Sequence, residues 1–286
     1  MSLSFVDTHV HFWDNARIPH PWLVEVPDIA GAHTPTELIA EAGRRVPQPI
    51  VFVEASAHPS QGLAEVRWVE DLAARSARQL NIGAIVAFAA VDQDIETEAA
   101  LDALRARPLV RGVRHLIQGE ADPRFCLRKA FVLGVQSVGA RGLSFDLCVK
   151  PPQLASVIEL VRLCPETSFI LDHAGKPDIR GGVLDPWRAH VAELARLPNV
   201  VCKLSGLVTE ADPAAWTPAQ LRPYVDHLLL TFGPARLMFG SDWPVVKLAA
   251  SYQRWLDTVL DLIEPLSTAN REAILSGNAH RVYRLS

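Results

Sequence analysis

The sequence predicts an α/β fold in which one (β/α)8 TIM barrel takes up residues 1–286 as a single domain. Three observations predict it. Eight short apolar runs alternate with segments of helical period. No Gly/Ser-rich or Pro-rich linker divides the chain. The stretch after the first run, "HVHFWDNARIPHP", contains no glycine, so the phosphate loop that opens a doubly wound sheet is missing.

The first strand is "FVDTHVHFWD", in which Asp7, His9 and His11 recur at every second position. Alternation puts these three on one face, with the two imidazoles roughly 6.6 Å apart along the backbone. Asn15 to His33, rich in proline, reads as an irregular loop over the barrel mouth. "TPTE" then starts a helix, with Thr34 at the cap, Pro35 in the first position and Glu37 completing a capping box. "PIVFVEA" is the second strand, followed by a helical segment from Leu63 to Leu80. "IGAIVAFAAVD", "LVRGVRHLI" and "LSFDLCV" are the third to fifth strands, and Pro152 to Cys164 is the next helix. "SFILDHAG", "VVCKLSG" and "RLMFGSDWP" complete the eight. Asp185 with Pro186, and Thr217 with Pro218 and Gln220, mark two further helix starts.

Composition narrows the function. With 49% hydrophobic and 21% charged residues this is an ordinary globular chain. The net charge of -4, with Lys and Arg scattered, disfavours nucleic acid and anionic membrane as partners. No signal-peptide pattern stands at the N-terminus and "IGAIVAFAAV" is too short to span a bilayer, so a cytoplasmic location is expected. Cys126, Cys148, Cys164 and Cys202 form no Cys-x-x-Cys pair and read as buried reduced thiols.

In such a barrel the chemistry sits where strands end. Those ends carry His9 and His11, Glu54 and His58, Arg111, Arg114 and His115, Asp146 and Lys150, Asp172, His173 and Lys176, Lys203 and Ser205, and Asp242. Any one of these is more often structural, but polar groups at so many ends of buried strands point to a site. Three imidazoles, His9, His11 and His173, with the Asp242 carboxylate suit one zinc-like ion. Asp242 is then the expected general base for water. "GxSxG" is absent, which disfavours a covalent acyl-enzyme.

"DTHVHFW", "RGVRH", "LDHAGKP", "CKLSGLVTEA", "MFGSDWPV" and "SGNAHRVYRL", spread over the whole chain, resemble the amidohydrolase superfamily. More narrowly they resemble its lactonase branch, which holds L-fuconolactonase, other sugar-lactone hydrolases and 2-pyrone-4,6-dicarboxylate hydrolase. The resemblance implies a distorted barrel, Asp242 as the group that activates water, and His9, His11 and His173 as ligands of a metal or the substrate. Binuclear members use a bridging modified lysine and a further histidine after the fifth strand. Here Arg114, His115, Asp146 and Lys150 stand in that region, so two metals are not expected. The branch is also similar to members that need no divalent ion; Arg114 and the histidines, with His173 as a catalytic partner of Asp242, then polarise the carbonyl.

The expected reaction is hydrolysis of a small sugar lactone to its aldonic acid. Expected substrate contacts are Arg114, His115, Asp146, Lys150 and Lys203, with Trp243, Trp13 or Trp22 against the apolar face of a ring. A carboxylated lactone would need converging cations from among Arg111, Arg114, Lys150, Lys176 and Lys203, although alternation separates Arg111 from Arg114. A decarboxylase of the same superfamily, or a non-catalytic barrel that binds a ligand, would carry a similar rim of polar groups. The sequence leaves oligomeric state open.

Overall fold

The computed structural model describes residues 4–285. Eight parallel strands pair in sequence order: β1 (Asp7–Val10), β2 (Ile50–Val53), β3 (Ile82–Phe88), β4 (Val110–Arg114), β5 (Ser144–Leu147), β6 (Ser168–Leu171), β7 (Val200–Leu204) and β8 (Leu237–Phe239). Around them lie α1 (Pro35–Ala42), α2 (Gly62–Ser76), α3 (Ile95–Arg105), α4 (Lys129–Ala140), α5 (Leu154–Leu163), α6 (Trp187–Ala195), α7 (Pro218–Thr231) and α8 (Tyr252–Ile263). The ring closes past the end of β8, where Val10 pairs with Trp243 and the Asp242 amide donates to the His9 carbonyl at 2.8 Å. No helix among the described residues is long and apolar enough to cross a membrane.

The apolar runs are buried on both faces because each strand meets helices outside and neighbouring strands' side chains inside. Ile50, Phe52, Val113, Phe145 and Phe169 face the helices in the main core. Val51, Val53, Ala84, Val86, Ile170 and Met238 fill the lower interior, with Ala279 and Tyr283 packed beneath them.

Capping chemistry sets two of the expected helix starts. Thr34 and Glu37 form a reciprocal box at α1, and at α7 the Gln220 side chain accepts from the Thr217 amide at 2.9 Å. The third differs: Asp185 makes no cap, α6 begins at Trp187, and the Asp185 carboxylate instead accepts from Arg188 at 2.6 Å. Over the mouth, Asn15 to His33 forms short turns pinned by an antiparallel bridge between Trp13 and His33.

Asp7 does not share the histidines' surroundings. The β1–β2 register shifts between Asp7 and Val10. Its carboxylate accepts from the backbone amides of Ser241 (2.8 Å) and His9 (3.2 Å) and from the Tyr252 hydroxyl of α8 (3.1 Å), stitching the closing seam. Burial pushes this carboxyl up to about 6 against those hydrogen bonds. The folded state therefore binds the extra proton between pH 3.8 and about 6, and stability falls as pH rises through that window. Asp7→Asn removes the titration while keeping the shape. Its stability relative to wild type should grow from near zero at pH 4 toward about 3 kcal/mol at pH 7. Urea unfolding at both pH values checks this; a difference that does not change with pH contradicts it.

Candidate active site

Three histidine rings meet one oxygen at the upper end of the barrel. Nε2 of His11, His9 and His173 lies 3.3, 3.7 and 3.9 Å from Asp242 Oδ1. β1 and the residue after it supply His9 and His11, the turn after β6 supplies His173, and Asp242 follows β8. The backbone works to aim them. Asp242 has φ of 61°, and His173, Ala174, Gly175 and Lys176 form four consecutive left-handed residues with φ of 52°, 53°, 70° and 50°. For non-glycine residues such a conformation costs ~1–2 kcal/mol each, and strain of this kind collects at functional sites. Gly206 completes the cradle, since a Cβ there would lie 2.6 Å from His173 Nδ1.

Hydrogen bonds fix the rings. His11 Nδ1 donates to the Val53 carbonyl at 2.8 Å, which turns its Nε2 toward Asp242. His173 Nδ1 lies 2.9 Å from Ser205 Oγ. Burial pushes His173 down to about 4, so it is neutral at pH 7, and drives His9 well below its ordinary value. Burial opposes ionisation of Asp242, but His173 and then the other two rings outweigh it and hold the carboxyl below the usual range.

Beneath the rim lies a charged layer. Arg114 donates through Nε to Glu54 Oε1 (2.6 Å), through Nη2 to the Glu54 carbonyl (2.6 Å) and through Nη1 to Asp172 Oδ2 (3.2 Å). Lys203 Nζ donates to Asp146 Oδ2 at 2.6 Å and meets Asp172 Oδ1 at 2.9 Å. His9 Nδ1 rests on this layer, 3.3 Å from Asp172 Oδ1 and 3.2 Å from Lys203 Nζ. Burial pushes Asp146 up to about 6, whereas Lys203, His9 and Arg114 overcome burial at Asp172 and hold it well down.

A cavity of roughly 280 Å³ opens above the rim cluster, with His11, His173, Asp242 and Arg114 in its wall. Lys176, Gln118, Cys148, Ser56 and Trp22 also reach it. The other expected substrate contacts lie elsewhere. His115 follows the inward-facing Arg114, so alternation turns it outward among Phe88, Phe125 and Phe131. Trp243, past the end of β8, is turned into the core, where its Nε1 donates to Glu41 at 2.9 Å. Asp146 and Lys203 are fully buried and pair with each other one layer below the cavity. Lys150 lies three residues beyond β5 and is exposed outside the cavity wall. Trp13 is buried, its Nε1 donating to the Gly31 carbonyl at 2.9 Å, whereas Trp22 reaches the cavity, its Nε1 donating to the Ala55 carbonyl at 2.9 Å. Arg111 donates to the Pro108 carbonyl at 2.6 Å, away from the cavity.

The donor set suits a divalent ion. Ligand atoms of His9, His173 and Asp242 lie within 4.8 Å of one another, and His11 adjoins Asp242. In a neutral His11 ring, Nε2 turns a lone pair onto a carboxylate oxygen at 3.3 Å, a repulsive pairing unless a proton or metal ion lies among these atoms. Imidazole nitrogens with one carboxylate oxygen match zinc. All four cysteines are buried and free. Burial pushes the Cys148 thiol up to about 11, so the one thiol in this cavity wall is protonated and not a ready nucleophile.

A family model for amidohydrolases matches residues 6–285. The chain belongs to that family. This amidohydrolase is 36% identical to an L-fucono-1,5-lactonase of Burkholderia multivorans, over 98% of this chain and 96% of that one. It is 32% identical to an L-fucono-1,5-lactonase of Burkholderia ambifaria, over 98% of this chain and 95% of the other. A crystal structure of a Burkholderia multivorans amidohydrolase with bound zinc superposes with a TM-score of 0.88 at 35% identity, covering 99% of this chain and 100% of that one.

Proposed function

We propose that this amidohydrolase hydrolyses a neutral sugar lactone to the aldonic acid, with Asp242 as the proton-transfer group. The convergence of three imidazole nitrogens on Asp242 Oδ1 beneath a small cavity carries this reading. The near full-length likeness to two L-fucono-1,5-lactonases supports a sugar ring as the substrate.

The ionised Asp242 takes a proton from a water in the cavity, and that water attacks the lactone carbonyl. The tetrahedral species collapses by breaking the bond to the ring oxygen, and Asp242 returns its proton to the departing alkoxide. One carboxylate thus acts as base and then as acid. His9, His11, His173 and Asp242 would hold one divalent ion, which supplies Lewis-acid polarisation of the carbonyl and acidifies water. Arg114 keeps an Nη2 hydrogen beyond those given to Glu54 and Asp172, a donor for the developing oxyanion.

A carboxylated lactone fits less well. Arg114 and Lys203 are neutralised internally, Arg111 and Lys150 lie outside the cavity wall, and Lys176 already faces Glu210 at 3.5 Å. No forked arginine is left free for a carboxylate among the described residues lining this cavity. The same shortage of free cations disfavours an aromatic acid awaiting decarboxylation.

Proton release from a panel of aldono-1,4- and 1,5-lactones, each with and without chelator, tests the reading. The expected outcome is rapid acid production from at least one neutral aldonolactone, with zinc restoring whatever rate chelation removes. Activity confined to carboxylated lactones, or carbon dioxide release from an aromatic acid, overturns it.

A further inference from the structure

Lys176 is the charged group of the cavity wall whose hydrogen bonds are least used. Arg114 gives its nitrogens to Glu54 and Asp172, and Asp242 is ringed by imidazoles. Among the described residues the Lys176 ammonium has one close carboxylate, Glu210 Oε1 at 3.5 Å, longer than an ordinary N–H···O bond. Its three donors and the Glu210 carboxylate therefore keep bonding capacity. Both side chains are largely withdrawn from water, at 18% and 26% exposure. A pair so loosely joined leaves donors and acceptors that water or a ligand hydroxyl can complete.

The backbone brings Lys176 to the cavity wall, with Glu210 beside it. Lys176 ends the run of four left-handed residues that begins at His173. In a tight turn of about three residues the side chains at i and i+3 lie side by side, and His173 and Lys176 both reach the cavity wall. Glu210 comes from the short turn Val208–Glu210 after β7, and the Arg180 amide donates to its carbonyl at 2.9 Å, tying the two loops together.

We propose that Lys176 and Glu210 form the subsite that recognises adjacent hydroxyl groups of the substrate ring. Lys176 Nζ donates to one hydroxyl oxygen, and the Glu210 carboxylate accepts from the neighbouring O–H. A hydroxyl both donates and accepts, so a cation and a carboxylate side by side complement two neighbouring ones. The pair is neutral overall, and it selects hydroxyls over a net charge on the ligand. This assignment rests on the sugar-lactone reading and supplies the hydroxyl contacts that Asp146, Lys150 and Lys203 do not.

Two measurements on the full chain test it. The first is calorimetric binding of 1,5-anhydroalditols, rings that carry the hydroxyls but no carbonyl, to wild type, Lys176→Met, Lys176→Arg and Glu210→Gln. The best-bound anhydroalditol should lose about 10- to 100-fold in affinity in Lys176→Met and in Glu210→Gln, with Lys176→Arg recovering most of it. Equal affinity in wild type and Lys176→Met, or no binding to wild type, overturns the proposal. The second compares kcat/KM for an aldonolactone with that for a lactone lacking hydroxyls. In Lys176→Met the ratio of the two should fall about 10- to 100-fold, through KM. An equal fall on both substrates places Lys176 at the carbonyl and overturns the subsite. If wild type hydrolyses no lactone, the lactonase reading fails by itself, and the binding measurement still decides on the pair. Circular dichroism and thermal unfolding establish that each variant is folded, and Glu210→Gln answers if Lys176→Met is not.

Discussion

Asp242→Asn should lower kcat for lactone hydrolysis by about 10²- to 10⁴-fold at neutral pH, with a much smaller change in KM. The amide has the carboxylate's shape but cannot take a proton from water, so the substrate still enters a cavity of nearly the same form. The remaining wall, His11, His173 and Arg114, continues to hold and polarise the ring, which accounts for residual turnover. The acid side of the pH profile gives a second reading. Asp242 is held below the usual carboxylate range and His173 takes its proton only near pH 4. Wild-type activity should therefore persist as pH falls through 6 and be lost near 4. Steady-state kinetics of both proteins from pH 4 to 9 checks the pair of expectations. A loss below tenfold in Asp242→Asn moves the general base elsewhere.

Much of this arrangement was legible in sequence because the alternation of strand side chains is regular. The alternation in "FVDTHVHFWD" put His9 and His11 on one face, and the structure brings both to Asp242. The same rule separates His115 from Arg114, the last residue of β4, since consecutive strand residues cannot both face the barrel axis. Applied there, it would have removed His115 from the site, whereas Trp243 lies past β8 behind the left-handed Asp242, where alternation no longer holds. Asp146 and Lys203 are a different case. They do face inward, but height along the axis decides whether an inward residue meets the cavity or the layer beneath it, and the stagger between strands fixes that height. Alternation contains no information about stagger. Asp7 escapes its expected company for a related reason, because a register shift in β1 is a property of the pairing and not of one strand. Glu210 lay unnoticed inside "CKLSGLVTEA"; nothing in spacing announces that a turn after one strand will meet Lys176 from the turn after its neighbour.

Lys203→Met should destabilise the fold by about 3–5 kcal/mol at pH 8, although residue 203 touches neither cavity nor solvent. Methionine matches the lysine stem but leaves Asp146 and Asp172 without the ammonium that lies 2.6 and 2.9 Å from them. Asp146 already rests near 6 with that ammonium present, because burial opposes its charge. Without Lys203 both carboxyls shift upward, Asp146 still further above its unfolded value. The folded variant then binds more protons than the unfolded chain through the window above pH 4, so its stability rises as pH falls. The deficit against wild type should accordingly be largest at pH 8 and smaller at pH 5. Lys203→Met combined with Asp146→Asn should recover part of it, by removing one of the stranded charges. Denaturant unfolding of the three proteins at both pH values decides the matter, and a deficit below about 1 kcal/mol, or one indifferent to pH, would mean that the layer is not held by Lys203. His9 stands on the same two groups, Asp172 and Lys203, so the variant should also lose turnover beyond its loss of stability. The charged layer would then be what keeps the first histidine aimed at Asp242, a use for buried ions that their cost to the fold alone does not supply.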